Sequence, residues 1–162
     1  MEHMQQEKRP TRKRIRLEGY DYSENGAYFI TICTNEREKL FWNVGADIIR
    51  PQEPKLSEIG KIVEQAICQI SEHYSHVYVD KYCIMPEHIH MIVCIDKKEN
   101  GRMISAPTMS TVIGSMKRWI SKQVGRPIWQ KSFVDRVIRD EQMYLGVWKY
   151  IDENPLYPNE EE

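Results

Sequence analysis

The sequence contains no run of about 18 apolar residues, so no membrane-spanning helix is expected. Its opening is charged and polar and has no apolar core segment, which excludes a secretory signal and makes the cytoplasm the expected compartment. No C-x-x-C pair exists among Cys33, Cys68, Cys83 and Cys94, so a zinc knuckle is not expected. Each of the four lies in an apolar run (ITIC, AICQI, YCIM, IVCI) and reads as a reduced core thiol. Internal repeats and low-complexity tracts are absent. A net charge of −1 offers no bulk attraction to polyanions. What is present suits one compact domain: 162 residues, 41% of them hydrophobic, with a mean hydropathy of −0.62.

Charge is low in total but unevenly distributed. Six basic residues fall in positions 8–16: Lys8, Arg9, Arg12, Lys13, Arg14 and Arg16. Seven more fall in positions 111–140, where only Asp135 and Asp140 oppose them, while acid collects in the tail at 160–162. A chain polarised in this way can present a positive face to phosphates. The same pattern is also that of a solvated helix face plus a basic arm.

Hydrophobic periodicity sets the expected elements. Residues 1–16 read as a flexible basic arm, and 17–162 as a single domain. GYDYSENG has loop composition. The segment 27–34 (AYFITICT) is short, β-branched and aromatic, hence a strand. Positions 35–55 are weakly patterned, with DIIRP as a short strand or edge piece. From Leu56, apolar residues at Ile59, Ile62, Val63, Ala66, Ile67 and Ile70 have helical spacing, with Ser57 and Glu58 in the first turn. Strands follow at 76–85 and 88–95, interrupted by Pro86, and pair as a hairpin. Residues 97–107 read as a polar loop around Asn100-Gly101. A second amphipathic helix spans 108–124 and ends at Gly125 and Pro127. A fourth strand is expected at 133–138. A last helix spans 141–153, capped by Asp140 and stopped by Pro155. The order β-α-β-β-α-β-α predicts an α+β, ferredoxin-like antiparallel sheet with helices on one face, followed by a C-terminal helix.

His88-Ile89-His90 is the sharpest chemical signal. Alternation along a strand puts His88 and His90 on one face and Ile89 on the other. Two imidazoles so spaced can grip one divalent ion; they suit zinc, copper, nickel and iron and accept manganese, whereas magnesium prefers oxygen. A His-x-His pair also occurs in ordinary sheets, so a third ligand must come from elsewhere. Glu87 is adjacent but points to the opposite face if the strand runs that far. On the last helix, Tyr150 and Asn154 lie one turn apart on the same side. The Asn154 amide oxygen there can reach a metal, with Tyr150 beside it. A nearby cation favours the phenolate and offsets charge on a phosphoryl group. Attack by tyrosine stores the broken bond in a phosphotyrosine ester, so rejoining needs no ATP. Tyr150 equally reads as one buried aromatic among nine tyrosines, and Tyr144 is a competing nucleophile six residues back, off that face.

MPEHIHMIV (85–93) and WQKSFVDRVIRDEQMYLGVWKYIDENPL (129–156) resemble the REP-associated tyrosine transposases, a single-tyrosine branch of the HUH (His-hydrophobic-His) nucleases. RKRIRLEGYDYSENGAYFITICT (12–34) is similar to that family's first strand and its approach. The resemblance covers nearly the whole chain. It implies a ferredoxin-like fold, with the motif histidines at His88 and His90, the catalytic tyrosine of Y-I-x-x-N-P at Tyr150 and a third metal ligand at Asn154. It also implies Mg²⁺ or Mn²⁺ as cofactor, cleavage of single-stranded DNA near imperfect hairpins, a 5′-phosphotyrosine intermediate and strand transfer. Glu87 departs from the asparagine frequent before the pair. The chain also stops soon after the last motif, where some relatives continue.

Phosphate contacts are then expected from Arg12, Lys13, Arg14 and Arg16 in the arm, Lys117, Arg118 and Lys122 on the second helix, and Arg136 and Arg139 near the last helix. Trp129 and Trp148 read as stacking platforms or core. His73 and His76 have no expected catalytic part. Two rival classes stand beside the transposase: a catalytically idle hairpin-DNA-binding regulator, and a small-substrate metallohydrolase using water. Whether the tyrosine works in its own chain or across a homodimer is open at this level, as is whether the protein mobilises an element or has been domesticated.

Overall fold

The computed structural model describes residues 26–43, 56–96, 98–99, 102–103 and 107–154. The arm at 1–16, most of GYDYSENG, the DIIRP piece, Asn100-Gly101 and Pro155 lie outside them. In chain order the elements are β1 (Gly26–Cys33), α1 (Glu58–His73), β2 (Val77–Ile84), β3 (His88–Ile95), β4 (Lys98–Glu99), β5 (Arg102–Met103), α2 (Met109–Val124), β6 (Val134–Val137) and α3 (Glu141–Glu153).

β2, β3, β1 and β6 form one antiparallel sheet in that spatial order. β3 therefore lies between β1 and β2, which is the split βαβ arrangement expected of a ferredoxin-like α+β fold. β1 and β3 pair along their full length, from Gly26 opposite Ile95 to Cys33 opposite His88. The short ribbon of β4 and β5 corrects the expectation of a structureless loop at 97–107. An Asn-Gly pair between two short runs is a hairpin signal that loop composition alone does not convey.

Helix ends form where the side chains allow. Ser57 Oγ accepts from the Gly60 N–H at 3.0 Å, Thr108 Oγ1 from Thr111 at 3.1 Å and Asp140 Oδ1 from Met143 at 2.8 Å. Gly125 closes α2 at φ 94°, a conformation that costs glycine little. α1 also docks closely on the chain before it: a Cβ at Gly60 would meet the Phe41 carbonyl. Gly60→Ala is therefore expected to destabilise the protein by about 1–3 kcal/mol, the usual cost of overpacking, measurable as a lower urea midpoint.

Every residue of β3 is buried, because both sheet faces are covered. Tyr82, opposite Met91, donates to Glu64 of α1, whereas Lys81, opposite Ile92, reaches Asp152 of α3. α1, which packs on α2, therefore lies on the face of Ile89, Met91 and Val93, and α3 on the face of His88, His90 and Ile92. The helix pair covers Ile30, Ile32, Ile89 and Met91, all fully buried. β6 is the outer strand beyond β1, and all four of its residues are exposed. The cysteines are free, as expected, but only Cys83 and Cys94 are core; Cys68 is exposed and Cys33 half-buried. Cys68 follows the last buried residue of the Val63, Ala66 and Ile67 stripe and turns away from it.

Candidate active site

Among the described residues only four polar side chains are buried: Thr34, His88, His90 and Asn154. Burying polar groups is costly unless they are partnered or put to use. Thr34 is explained by its turn, since its hydroxyl faces the Glu38 and Glu87 carbonyls at 2.8 and 3.2 Å. The other three are the residues expected to hold a metal.

β3 places His88 and His90 side by side, with ring centroids 4.7 Å apart and planes at 71°. Each is braced from a neighbouring element. Thr31 stands opposite His90 on β1, and its Oγ1 is 2.9 Å from His90 Nδ1. That contact orients the ring and turns Nε2 away from Thr31, the arrangement in which an imidazole serves as a ligand. Glu87 Oε2 lies 3.6 Å from His88 Nδ1 and 3.1 Å from Arg37 Nη2. Arg37 reaches it from a turn in which Glu36 and Arg37 both adopt positive φ.

The nearby His88 imidazole, 3.6 Å away, holds the Glu87 carboxyl down at about 2, with the Arg37 hydrogen bond adding to the effect and burial opposing it. A carboxylate lowered in the folded state contributes stability that is present above its ordinary value and lost as pH falls toward about 2. Glu87→Gln is expected to flatten this acid limb, as urea unfolding between about pH 5 and pH 2 would show. Parallel curves for the two proteins would count against the Glu87 contacts.

α3 brings the tyrosine. The Tyr150 ring lies 5.4 Å from the His90 ring, and Phe29, two residues before Thr31 on β1, touches both, at 5.3 Å from His90 and 6.0 Å from Tyr150. Tyr150 is 43% exposed, so it borders the buried His90 ring and is still open to solvent. Tyr144, the competing nucleophile, is 2% exposed and donates to Asp80 Oδ2 at 2.9 Å, which fixes it in the core. Asn154 follows Tyr150 by one turn, its N–H bonded to the Tyr150 carbonyl. Its side-chain Nδ2 is buried with no hydrogen-bond partner among the described residues.

No three His, Cys, Asp or Glu side chains among the described residues are grouped to hold a metal ion. Among the described residues a metal on the histidine pair would take a donor of another kind, and the buried Asn154 on the tyrosine helix is of a fitting chemistry. Two imidazole nitrogens with an amide oxygen form a borderline-to-hard donor set, compatible with Mn²⁺ and, with added waters, Mg²⁺.

The basic residues divide. Arg118, Lys122, Arg136 and Arg139 are exposed. Arg136 stands opposite Phe29 on β6 and so shares the face of the site. Lys117 is committed inside the chain: its ammonium donates to the Gln130 and Ser132 carbonyls at 3.0 and 2.7 Å, and burial lowers its pKa. Trp129 packs on Phe41, and Trp148 lies under the Lys81 ammonium, so neither is a bare stacking platform. His73 sits at the end of α1 against Tyr74. Thr31, Phe29 and Arg37 were not singled out from sequence; Thr31 and Phe29 become visible only once the β1–β3 register is known.

The chain thus combines a split βαβ sheet, a paired-histidine central strand and a tyrosine on an appended helix. No family model matches the chain. It is 33% identical over 164 residues to an uncharacterized protein of Haemophilus influenzae, covering 90% of this chain and 88% of that one. It is 24% identical over 144 residues to a second H. influenzae protein whose name assigns it to the REP-associated tyrosine transposases, covering 84% and 73%. A solved REP-associated tyrosine transposase bound to a REP hairpin shares the fold, with a TM-score of 0.57 at 20% identity, covering 81% of this chain and 67% of that one. The chain thus resembles the REP-associated tyrosine transposases in sequence and shares their fold.

Proposed function

We propose that this protein is a metal-dependent single-stranded DNA endonuclease and strand transferase that acts at DNA hairpins through a 5′-phosphotyrosine intermediate. The observation that carries this reading is the placement of a half-exposed Tyr150 against His90, on a helix whose next turn buries Asn154. The hairpin bound by the structural relative supports the substrate class.

His88, His90 and Asn154 would hold Mg²⁺ or Mn²⁺, which supplies charge to polarise the scissile phosphoryl group and favour the phenolate. Thr31 and Glu87 keep the imidazoles oriented. Tyr150 Oη forms a bond to phosphorus as the bond to the 3′ oxygen breaks. The phenolic proton passes to solvent, and the departing oxygen takes a proton from solvent to become a 3′ hydroxyl. Attack of a 3′ hydroxyl on the phosphotyrosine ester reverses these steps and joins strands. Arg136, Arg139, Arg118 and Lys122 are placed to meet phosphates. Arg12, Lys13, Arg14 and Arg16 extend the same role to the arm, and the cytoplasm is the compartment that suits it.

The test is incubation with a labelled single-stranded hairpin taken from the sequences flanking the gene, with and without Mn²⁺. Cleavage and protein-linked DNA on a denaturing gel are expected only with metal. Hairpin binding without cleavage would instead establish the idle regulator.

A further inference from the structure

β2 contains one residue too many for its pairing. Val79 pairs with Val93 and Lys81 with Ile92, so Asp80 is the extra residue of a bulge. Bulges re-aim side chains, and here two consecutive residues both serve the α3 side. Asp80 accepts from the Tyr144 hydroxyl at 2.9 Å and faces the Cys94 thiol at 3.6 Å. Lys81 donates to Asp152 Oδ1 at 2.7 Å and holds its ammonium 4.1 Å above the Trp148 ring. Tyr144, Trp148 and Asp152 recur every four residues and form one stripe along α3. Tyr150 lies off that stripe, on the side that meets Phe29 of β1.

We propose that Asp80 and Lys81 are positioning residues, whose clasp fixes the roll of α3 and thereby sets the Tyr150 phenol against the histidine pair. The role assigned to Tyr150 rests on the function proposed above; the clasp itself does not. Roll about the helix axis is the motion that would displace Tyr150 most, and a stripe gripped at three successive turns opposes it. The Lys81 side chain is 19% exposed but that of Asp152 is 51% exposed, so solvent screens the ion pair in part and the Trp148 ring and the Asp80–Tyr144 bond share the grip.

The experiment compares wild type, Lys81→Met, Asp152→Asn and the exchange Lys81→Asp with Asp152→Lys, reading amide hydrogen exchange and single-turnover adduct formation at saturating hairpin DNA. Both single variants are expected to speed exchange in α3 about tenfold while α1 and α2 stay unchanged. Adduct formation should slow by about tenfold or more, since displacements near 1 Å cost up to about a hundredfold, with hairpin affinity within about twofold of wild type. The charge exchange should recover most of both losses. Faster exchange spread equally over all three helices, or unchanged exchange in α3, would overturn the clasp. Selective loosening of α3 with an undiminished adduct rate would overturn its positioning role. Wild type that forms no adduct would reject the proposed function and the positioning role of the clasp together, and the exchange data would still decide whether the clasp holds α3.

Discussion

Tyr150→Phe is expected to abolish covalent capture of DNA while leaving hairpin binding within about twofold of wild type. The substitution removes one oxygen and keeps the ring that meets His90 and Phe29. Tyr150 is 43% exposed, so the loss of this oxygen should cost little stability. Nucleophile deletions in other enzymes lower rates by factors on the order of 10⁴–10⁶, so no adduct should be visible on a denaturing gel. Tyr144→Phe is the matched control. It breaks the hydrogen bond to Asp80, a cost of about 1 kcal/mol in stability, and by loosening the clasp on α3 should slow the adduct without abolishing it. An adduct that persists in Tyr150→Phe and vanishes in Tyr144→Phe would move the nucleophile.

His90→Ala, and separately His88→Ala, should weaken Mn²⁺ binding by more than about a hundredfold, since even residues that only support a ligand can account for ten- to a hundredfold. Calorimetric titration of Mn²⁺ reads this without any DNA, and cleavage should disappear in parallel. Because His90 and Tyr150 meet within one chain, a mixture of His90→Ala and Tyr150→Phe proteins should remain inactive. Recovery of cleavage in the mixture would show that subunits exchange their tyrosine helices. Unaltered Mn²⁺ affinity in both histidine variants would remove the ion from this strand.

The sequence and the structure agree where a single element carries the signal. Residues 88–95 are continuously apolar between the two histidines and beyond, and β3 is the central strand covered on both faces. Asp140 starts α3 where its side chain was expected to cap it. That His88 and His90 share a strand face, and Tyr150 and Asn154 one side of α3, was legible because alternation and four-residue spacing are local properties. What depends on pairing between distant segments was not. Thr31 acquires its meaning from standing opposite His90, and Arg136 from standing opposite Phe29. The bulge at Asp80 breaks the alternation that a sequence pattern assumes, so the clasp on α3 could not be read in advance. Lys117 looked like a surface cation because sequence does not reveal the two carbonyls at 130 and 132 that receive it.

The burial of β3 on both sides constrains how this lineage can vary. A strand's side chains swap faces with every one-residue slip, so an insertion or deletion within 85–95 would send the imidazoles into the aliphatic layer and isoleucines into their place. Exposed residues such as Arg136 and Arg139 can be exchanged one at a time, while this strand tolerates substitution only in kind and never in length.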